Sequence, residues 1–230
     1  MTPPVARIAV IVPLLNEAQG LPRLLQHVQL CGADELLIVD GGSTDGTRQQ
    51  LEESAVRWLA SEPGRAVQMN AGTKVCDSEI LLFLHADTEL ELGHVQAVRE
   101  VMRDDAIIGG RFDVRLTGAH AVLRVIGCFM NLRSRLSGIS TGDQAMFVRR
   151  EVFAAMGGFA EIPLMEDIEF SKRLKRQGRI ACLRQRVRTS SRRWEKHGIL
   201  STVLLMWRLR LLYWLGVAPE KLAAMYRDAR

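Results

Sequence analysis

Ile80-Leu81-Leu82-Phe83-Leu84-His85-Ala86-Asp87-Thr88 is the stretch on which the reading of this chain turns. Its five leading apolar residues are too few to cross a bilayer and enough for a strand buried on both faces of a sheet. The run breaks off on His85-Ala86-Asp87, which sets an ionisable pair where the strand leaves the core. In an open parallel sheet, ligands collect in the crevice outside the carboxyl ends of the strands. A carboxylate at that edge can hold a divalent cation, and the cation can hold a phosphate.

Upstream the sequence alternates. Arg7 to Val12 reads as a buried strand ended by Pro13, followed by a helix with Leu21, Leu24, Leu25 and Val28 on one face. Glu35 to Val39 reads as a second strand ending on Asp40. The loop Gly41 to Thr47 follows, with Ser43 or Thr44 as the cap of a helix reaching about Glu53. A short strand near Val56 to Leu59, a helix opened by Pro63-Gly64-Arg65, the Leu81 to Leu84 strand and a helix bearing Val95, Val98, Val101 and Met102 complete the first 105 residues. This alternation predicts a mainly parallel sheet with helices on both faces.

The rhythm then changes. Ile107 to Leu116 reads as a strand with a glycine bend, and Ala119 to Leu136 as an apolar helix studded with Arg124, Arg133 and Arg135. Ala145 to Val148 is a strand, a helix from Arg150 ends at Gly157-Gly158, and another carries Glu166-Asp167-Ile168-Glu169. Ile180 to Thr189 is a strand, and an amphipathic helix starts at Gly198. No repeat or low-complexity tract divides the chain. The expectation is one α/β domain over 1–230: a nucleotide-binding half to about 105, an acceptor and catalytic half over 106–197, and a helical appendage over 198–230.

Composition narrows the function classes. With 47% hydrophobic residues among 230, the chain can fill a core. Cys31, Cys76, Cys128 and Cys182 lie far apart with no CxxC pair, against a zinc site or disulfide framework and in keeping with a reducing compartment. Residues 170–230 carry 16 Lys and Arg against three acids, a net of +13, whereas the first 169 residues net −8. A basic tail on an acidic body suits a diphosphate, a membrane surface or nucleic acid, and equally a solvated helix face. The N-terminus lacks a signal pattern, and the most apolar late run, Ile199 to Val217, holds Arg208 and Arg210 near its middle. A cytoplasmic protein is expected, with at most weak peripheral contact to a membrane and a homo-oligomer as an open possibility. The Leu200, Val203, Leu204, Trp207, Leu211 and Trp214 stripe is expected to pack on the sheet or a second subunit. The alternative is a helix lying in a lipid interface, with Trp at headgroup depth and Arg208 and Arg210 reaching phosphates, and with Ala119 to Leu136 as the other side of an acceptor entrance.

Three acids fall at element ends: Asp40, Asp87 and Asp167. Taken singly, Asp40 is a turn residue, Asp87 an N-cap and Asp167 an acid on a helix dipole. At successive strand ends, Asp40 and Asp87 together favour a ligand site. The first strand is followed by no GxGxxG, and no GxxxxGK[ST] loop occurs. Phosphate must therefore be held by something other than a glycine cradle, and a carboxylate-bound cation is the natural substitute.

Pro13 with Asn16-Glu17, Val39-Asp40-Gly41-Gly42-Ser43-Thr44-Asp45-Gly46-Thr47, Gly64-Arg65 with Asn70-Ala71-Gly72, Phe83-Leu84-His85-Ala86-Asp87, and Gly157-Gly158-Phe159 followed by Glu166-Asp167 resemble, in order over about 8–170, the motifs of the family 2 nucleotide-sugar glycosyltransferases. The resemblance implies the GT-A fold, a divalent metal (Mn²⁺ or Mg²⁺) and inversion at the anomeric carbon. It implies that Pro13, Leu14, Asn16, Glu17, Asp40, Gly42, Ser43 and Asp45 wall the donor nucleotide, with Arg65, Asn70, His85 and Ala86 beside it. Asp87 would hold the metal, Asp167 would be the general base, and Asp143 and Glu166 would meet the acceptor. His85 stands where the family usually has an aspartate, so it is either an imidazole ligand suited to Mn²⁺ or a packing residue. His197 is either a late metal ligand or a surface histidine. Arg192 and Arg193 read as diphosphate clamps on a closing loop. Gly109 to Asp113, Thr141 to Gln144 and Ser190 to Trp194 look like a bacterial subgroup labelled as arsenosugar-biosynthesis or radical-SAM-associated transferases.

The leading expectation is therefore a metal-dependent inverting glycosyltransferase that uses an NDP-sugar, a UDP-sugar for preference. Its acceptor is a small molecule or a lipid-linked one, and no nucleic acid is involved. A nucleotidyltransferase and a non-catalytic sugar-nucleotide or polyanion-binding protein are the alternatives.

Overall fold

The computed structural model describes residues 6–228, apart from 92, 193, 194, 196 and 197. Three strands of the first half, β1 (Ile8–Leu14), β2 (Glu35–Asp40) and β4 (Ile80–Phe83), lie side by side in parallel, and every residue of β1 and β4 is buried. β3 (Trp58–Ala60) extends the sheet beyond β2. Beyond β4 the direction reverses at β7 (Met146–Arg149), which runs antiparallel to both β4 and β6 (Ile107–Leu116). β8 (Arg179–Thr189) is parallel to β6, and β5 (Thr88–Glu89) closes the edge against β8, giving the order β3-β2-β1-β4-β7-β6-β8-β5. Because β2 and β4 flank β1 on opposite sides, the chain's first crossover switches direction beside β1 and opens a crevice at the carboxyl ends.

Alternate residues of the central strands feed two cores. Ile8, Val10, Val12 and Leu82 pack with Leu21, Leu24 and Val28 of α1 (Leu21–Gln29) and with Val95 and Val98 of α4 (His94–Val101). Thr47–Glu53 forms α2 and adds Leu51 to this face. Ala9, Ile11, Leu81 and Phe83 face the other way, toward Met69 of α3 (Arg65–Thr73), Phe153 of α6 (Arg150–Ala155) and Phe170 of α7 (Glu166–Leu174). Each such fully buried side chain contributes about 1.5–3 kcal/mol of transfer free energy. α5 (Ala121–Ser137) is registered on β6 by Asn131, whose side chain donates to Val114 O and accepts from Val114 N. α8 (Ile199–Trp214) and α9 (Pro219–Asp228) build a third cluster with Leu164, Met165 and Ile168.

Four local expectations are corrected. Pro13 does not end β1: the ladder to β4 stops at Ile11↔Phe83, so its missing N–H leaves no bond unmade, and pairing to β2 runs on to Leu14↔Asp40. Neither Ser43 nor Thr44 caps α2; the helix starts later, at Thr47, whose N–H is taken by Asp45 Oδ1. Asp87 caps no helix, because β5 follows it at once and α4 starts after Gly93. Within one chain the apolar stripe of α8 does not pack on the sheet: Leu209 is fully buried, while Leu200, Leu204, Trp207, Leu211 and Trp214 are more than half exposed. The glycine bend is a close approach, since a Cβ on Gly109 would stand 2.6 Å from Phe147 O and force β6 from β7.

Gln68 joins the two strand ends that lead to the crevice. Its buried amide donates to Leu14 O and Val39 O, both at 2.7 Å. Gln68→Leu keeps the volume and leaves those carbonyls short of a donor, so urea unfolding should show a loss of about 1–3 kcal/mol.

Candidate functional site

Two loops wall the crevice beside β1 and β2, and they are stapled to each other. Asn16, at φ 54°, donates its N–H to Ser43 Oγ and accepts Thr44 N–H on Oδ1, both at 2.8 Å. Glu17 N–H donates to Thr47 Oγ1, and Ala18 N–H to Asp45 Oδ2. The Thr47 hydroxyl holds the Asp45 carboxyl below its ordinary range. Asp40 is fully buried at the end of β2 and accepts Ser43 N–H; Gly42 turns the chain at φ 88°. Pro13 and Leu14 form the buried floor. The side chains of Asn16, Ser43 and Asp45 are thus spent on loop geometry, and the walls themselves are preorganised.

A second group faces a cavity of ≈ 680 Å³: Arg65, His85, Asp87, Asp143, Glu166 and Asp167. Gly64, at φ 137°, turns the chain into α3 and delivers Arg65, which pairs with the buried Glu166 at 3.5 Å. Burial works against the charge on Arg65, and Glu166, Asp167 and Asp87 outweigh it, so the guanidinium stays protonated. Asp167 opens α7, its carboxylate accepting Gly142 N–H at 2.9 Å and its own neighbour's Ile168 N–H at 2.7 Å. Burial first, and then the charge of Glu166, push its pKa up to about 6. Asp143 is likewise raised, by burial and by repulsion from Asp167 and Asp87. Met165, at φ 71°, takes the left-handed backbone that turns α7 inward, a strain of order 1 kcal/mol.

Asp87 is fixed through its backbone. Ser190 N–H donates to Asp87 O, and Thr88 bonds Thr189 through their hydroxyls at 3.0 Å. His85 lies against Gly142, where any Cβ would collide with its ring, so the 3-10 turn Gly142–Gln144 and the strand end are held in contact. Ala86 packs on the core. Arg192 reaches back from beyond β8 to Glu17 at 3.9 Å and connects the two halves of the crevice. Arg193 and His197 lie outside the described residues. Among the described residues no cluster of three or more His, Cys, Asp or Glu is placed to hold a metal ion.

Asn70 is not brought to this cavity. Its amide donates to Phe159 O and accepts Phe159 N–H, both at 2.9 Å, which clamps the Gly157-Gly158-Phe159 loop to α3. Glu169 serves the same loop indirectly, gripping Arg173, which donates to Met156 O and Gly158 O. Arg133, Met165, Arg210 and Tyr226 also line the cavity; the sequence marks Arg133 and Arg210 as cations in apolar helices without placing them at the site, and does not mark Met165 or Tyr226. The signal for Arg133 was its helical spacing from Val122, Ile126 and Phe129, which share that wall.

The profile of glycosyl transferase family 2 matches residues 9–157. The chain belongs to this family. It is 31% identical over 164 residues to a PGL/p-HBAD biosynthesis glycosyltransferase of Mycobacterium bovis, covering 66% of this chain and 62% of the relative. The chain thus spans under two thirds of that relative's length. It is 28% identical over 99 residues to an undecaprenyl-phosphate 4-deoxy-4-formamido-L-arabinose transferase of Pseudomonas fluorescens, covering 37% of this chain and 29% of the relative. Among solved structures, S. aureus TarS 1–349 with UDP-GlcNAc superposes with a TM-score of 0.65 at 19% identity over 80% of this chain and 58% of TarS. The mannosyltransferase PcManGT of Pyrobaculum calidifontis, with GDP-Man and Mn²⁺, gives 0.66 at 19% over 97% and 69%. These two likenesses confirm the GT-A architecture that the family 2 resemblance implied.

The raised pKa of Asp167 has a consequence for stability. Its folded value of about 6 exceeds the ordinary 3.8, so folding favours the protonated form. That contribution is fully present below pH 3.8 and lost as the pH rises through about 6. Asp167→Asn, uncharged at every pH, should melt no lower than the parent at a pH well above 6, with the gap narrowing as the pH falls; calorimetric scans across that range check it.

Proposed function

We propose that this family 2 enzyme is a metal-dependent, inverting glycosyltransferase that moves a sugar from a UDP-sugar to an acceptor entering the cavity from the α5 and α8 side. The observation that carries the reading is the pairing of a carboxyl tuned to about 6, Asp167, with a strand-end carboxylate, Asp87, in one cavity. A general base works best with a pKa near the working pH, and Asp167 is lifted toward it.

The donor nucleotide lies between the stapled loops, with its base and ribose against Asp40 and Pro13 and its diphosphate toward Asp87 and Arg192. The donor set at Asp87 is suited to a hard cation, because such ions are commonly held by one or two carboxylates completed by substrate phosphates and water. Asp143, raised by burial and then by the charges of Asp167 and Asp87, marks a locus where a cation is favoured. A Mn²⁺ or Mg²⁺ ion bound at Asp87 supplies positive charge to the leaving diphosphate. Asp167 takes the proton of the acceptor oxygen as that oxygen bonds to the anomeric carbon. The bond from that carbon to the diphosphate breaks on the opposite face, and its electron pair leaves with UDP. Arg65 holds Glu166 and keeps the base oriented, its charge opposing a further rise of the Asp167 pKa. The complexes of TarS with UDP-GlcNAc and of PcManGT with GDP-Man and Mn²⁺ support a nucleotide-sugar donor and a metal.

Calorimetry with UDP, GDP, Mn²⁺ and chelator tests this. UDP should bind in the presence of Mn²⁺ and fail with chelator, and Asp87→Ala should abolish that difference. Asp167→Asn should keep UDP binding while the rate of UDP release from the donor falls about 10²–10⁴-fold. Equal UDP affinity with and without metal, or unchanged turnover in Asp167→Asn, overturns the assignment.

A further inference from the structure

The far end of the catalytic cavity has a composition that the donor does not explain. α5 contributes Val122, Ile126 and Phe129, and α8 contributes Val203, Met206 and Trp207. Apolar surface of this extent offers no hydrogen-bond or charged partner to a diphosphate. It continues to the outside: Phe129 and Trp207 are 65% and 67% exposed, and Val125, Leu132 and Leu200 beside them are also largely open. Two cationic side chains stand in this apolar wall. Arg133 has Nε and Nη2 buried with no hydrogen-bond partner among the described residues, and Arg210 has Nε in the same state. Both line the cavity. The charge on Arg133 is disfavoured by burial and supported only at a distance, by Asp143 and Asp167.

A buried guanidinium N–H without an acceptor is costly. Arg111 Nε and Arg150 Nη2 share that state, and what sets Arg133 and Arg210 apart is that they line an open cavity in which a ligand can complete them. An acceptor of negative charge completes these. The diphosphate of the donor is not that acceptor in the arrangement proposed above, because it lies toward Asp87 and Arg192 and away from the helix walls. We infer that Arg133 and Arg210 form a head-group subsite for an acceptor that is an anionic amphiphile, its phosphate on the two guanidiniums and its hydrocarbon chain between α5 and α8. The inference rests on the transferase reading only for the word acceptor; the binding site stands on the two arginines and the apolar walls. Arg133 shares the cavity with Asp143 and Asp167, whose charges support its own. The apolar chain leaves through the exposed ends of the same two helices, where a lipid layer or a detergent micelle can receive it.

The probes are decyl phosphate, decyl maltoside and inorganic phosphate, each titrated below micelle formation with calorimetry as the readout. Decyl phosphate should bind about tenfold or more tightly than either of the others, because only it offers both the charged bonds and the chain. Arg133→Gln combined with Arg210→Gln should erase the preference over decyl maltoside while leaving UDP binding with Mn²⁺ in place. Arg133→Lys with Arg210→Lys, which retains both charges, should keep part of the preference and serves if the double glutamine variant does not fold. Equal binding of decyl maltoside overturns the head-group subsite, and equal binding of inorganic phosphate overturns the amphiphile. Loss of UDP binding in the glutamine variant assigns the arginines to the donor and overturns the inference. Should UDP fail to bind under any metal condition while decyl phosphate still selects the arginines, the transferase reading falls and the amphiphile site stands.

Discussion

Crowded negative charge is the condition around which this molecule is arranged. Asp87, Asp143 and the adjacent pair Glu166 and Asp167 come from three different segments and face one cavity, with Arg65 pairing directly with Glu166. Burial first, and then repulsion between carboxylates, pushes Asp143 and Asp167 up. The surrounding structure over-determines their positions. Phe83, Phe153, Phe159 and Phe170 interlock with centroids 4.4–5.5 Å apart behind α7, and Asn70 and Arg173 pin the loop that carries Phe159. The aromatic cluster and these clamps hold α7 where its first turn would otherwise be driven from the other acids.

The two sides of the crevice are built by different physics. On the nucleotide side, short polar side chains bond to the facing loop's backbone, which yields a rigid, wet edge open to hydrogen-bonding ligands. On the α5 and α8 side, long helices offer apolar surface with few polar anchors. The family match ends at residue 157, so α5 lies within it and α7, α8 and α9 lie beyond it.

How much of this was legible from sequence depended on where the stabilising partner lies. β1, β2 and β4 could be read because strands buried on both faces leave unbroken apolar runs, and Asp87 and Asp167 because they sit at the ends of such elements. β5 could not: two residues carry no periodicity, and Thr88 is a strand residue only because Thr189, 101 positions away, pairs with it. Pro13 was misjudged because its tolerance depends on where the neighbouring strand stops. Among Arg124, Arg133 and Arg135, helical spacing puts Arg133 on the face of Val122, Ile126 and Phe129, and nothing local says that this face meets the cavity. That choice is made when Asn131 locks α5 onto β6. The α8 stripe has the spacing of a packed helix, and its exposure is decided by the absence of an opposing surface among the described residues rather than by the helix itself.

The Thr88–Thr189 bond and the Asn70–Phe159 clamp, spanning 101 and 89 residues, also govern the order in which the molecule becomes competent. A chain emerging from the ribosome can pair β1, β2 and β4 and shape the nucleotide loops long before β8 exists. The corner that joins Asp87 to the base is different, since it needs contacts of high sequence separation whose loop-closure entropy is met late. Until then a half-made chain has the stapled loops beside β1 and β2 and lacks the closed corner that sets Asp87 and Asp167 in one cavity.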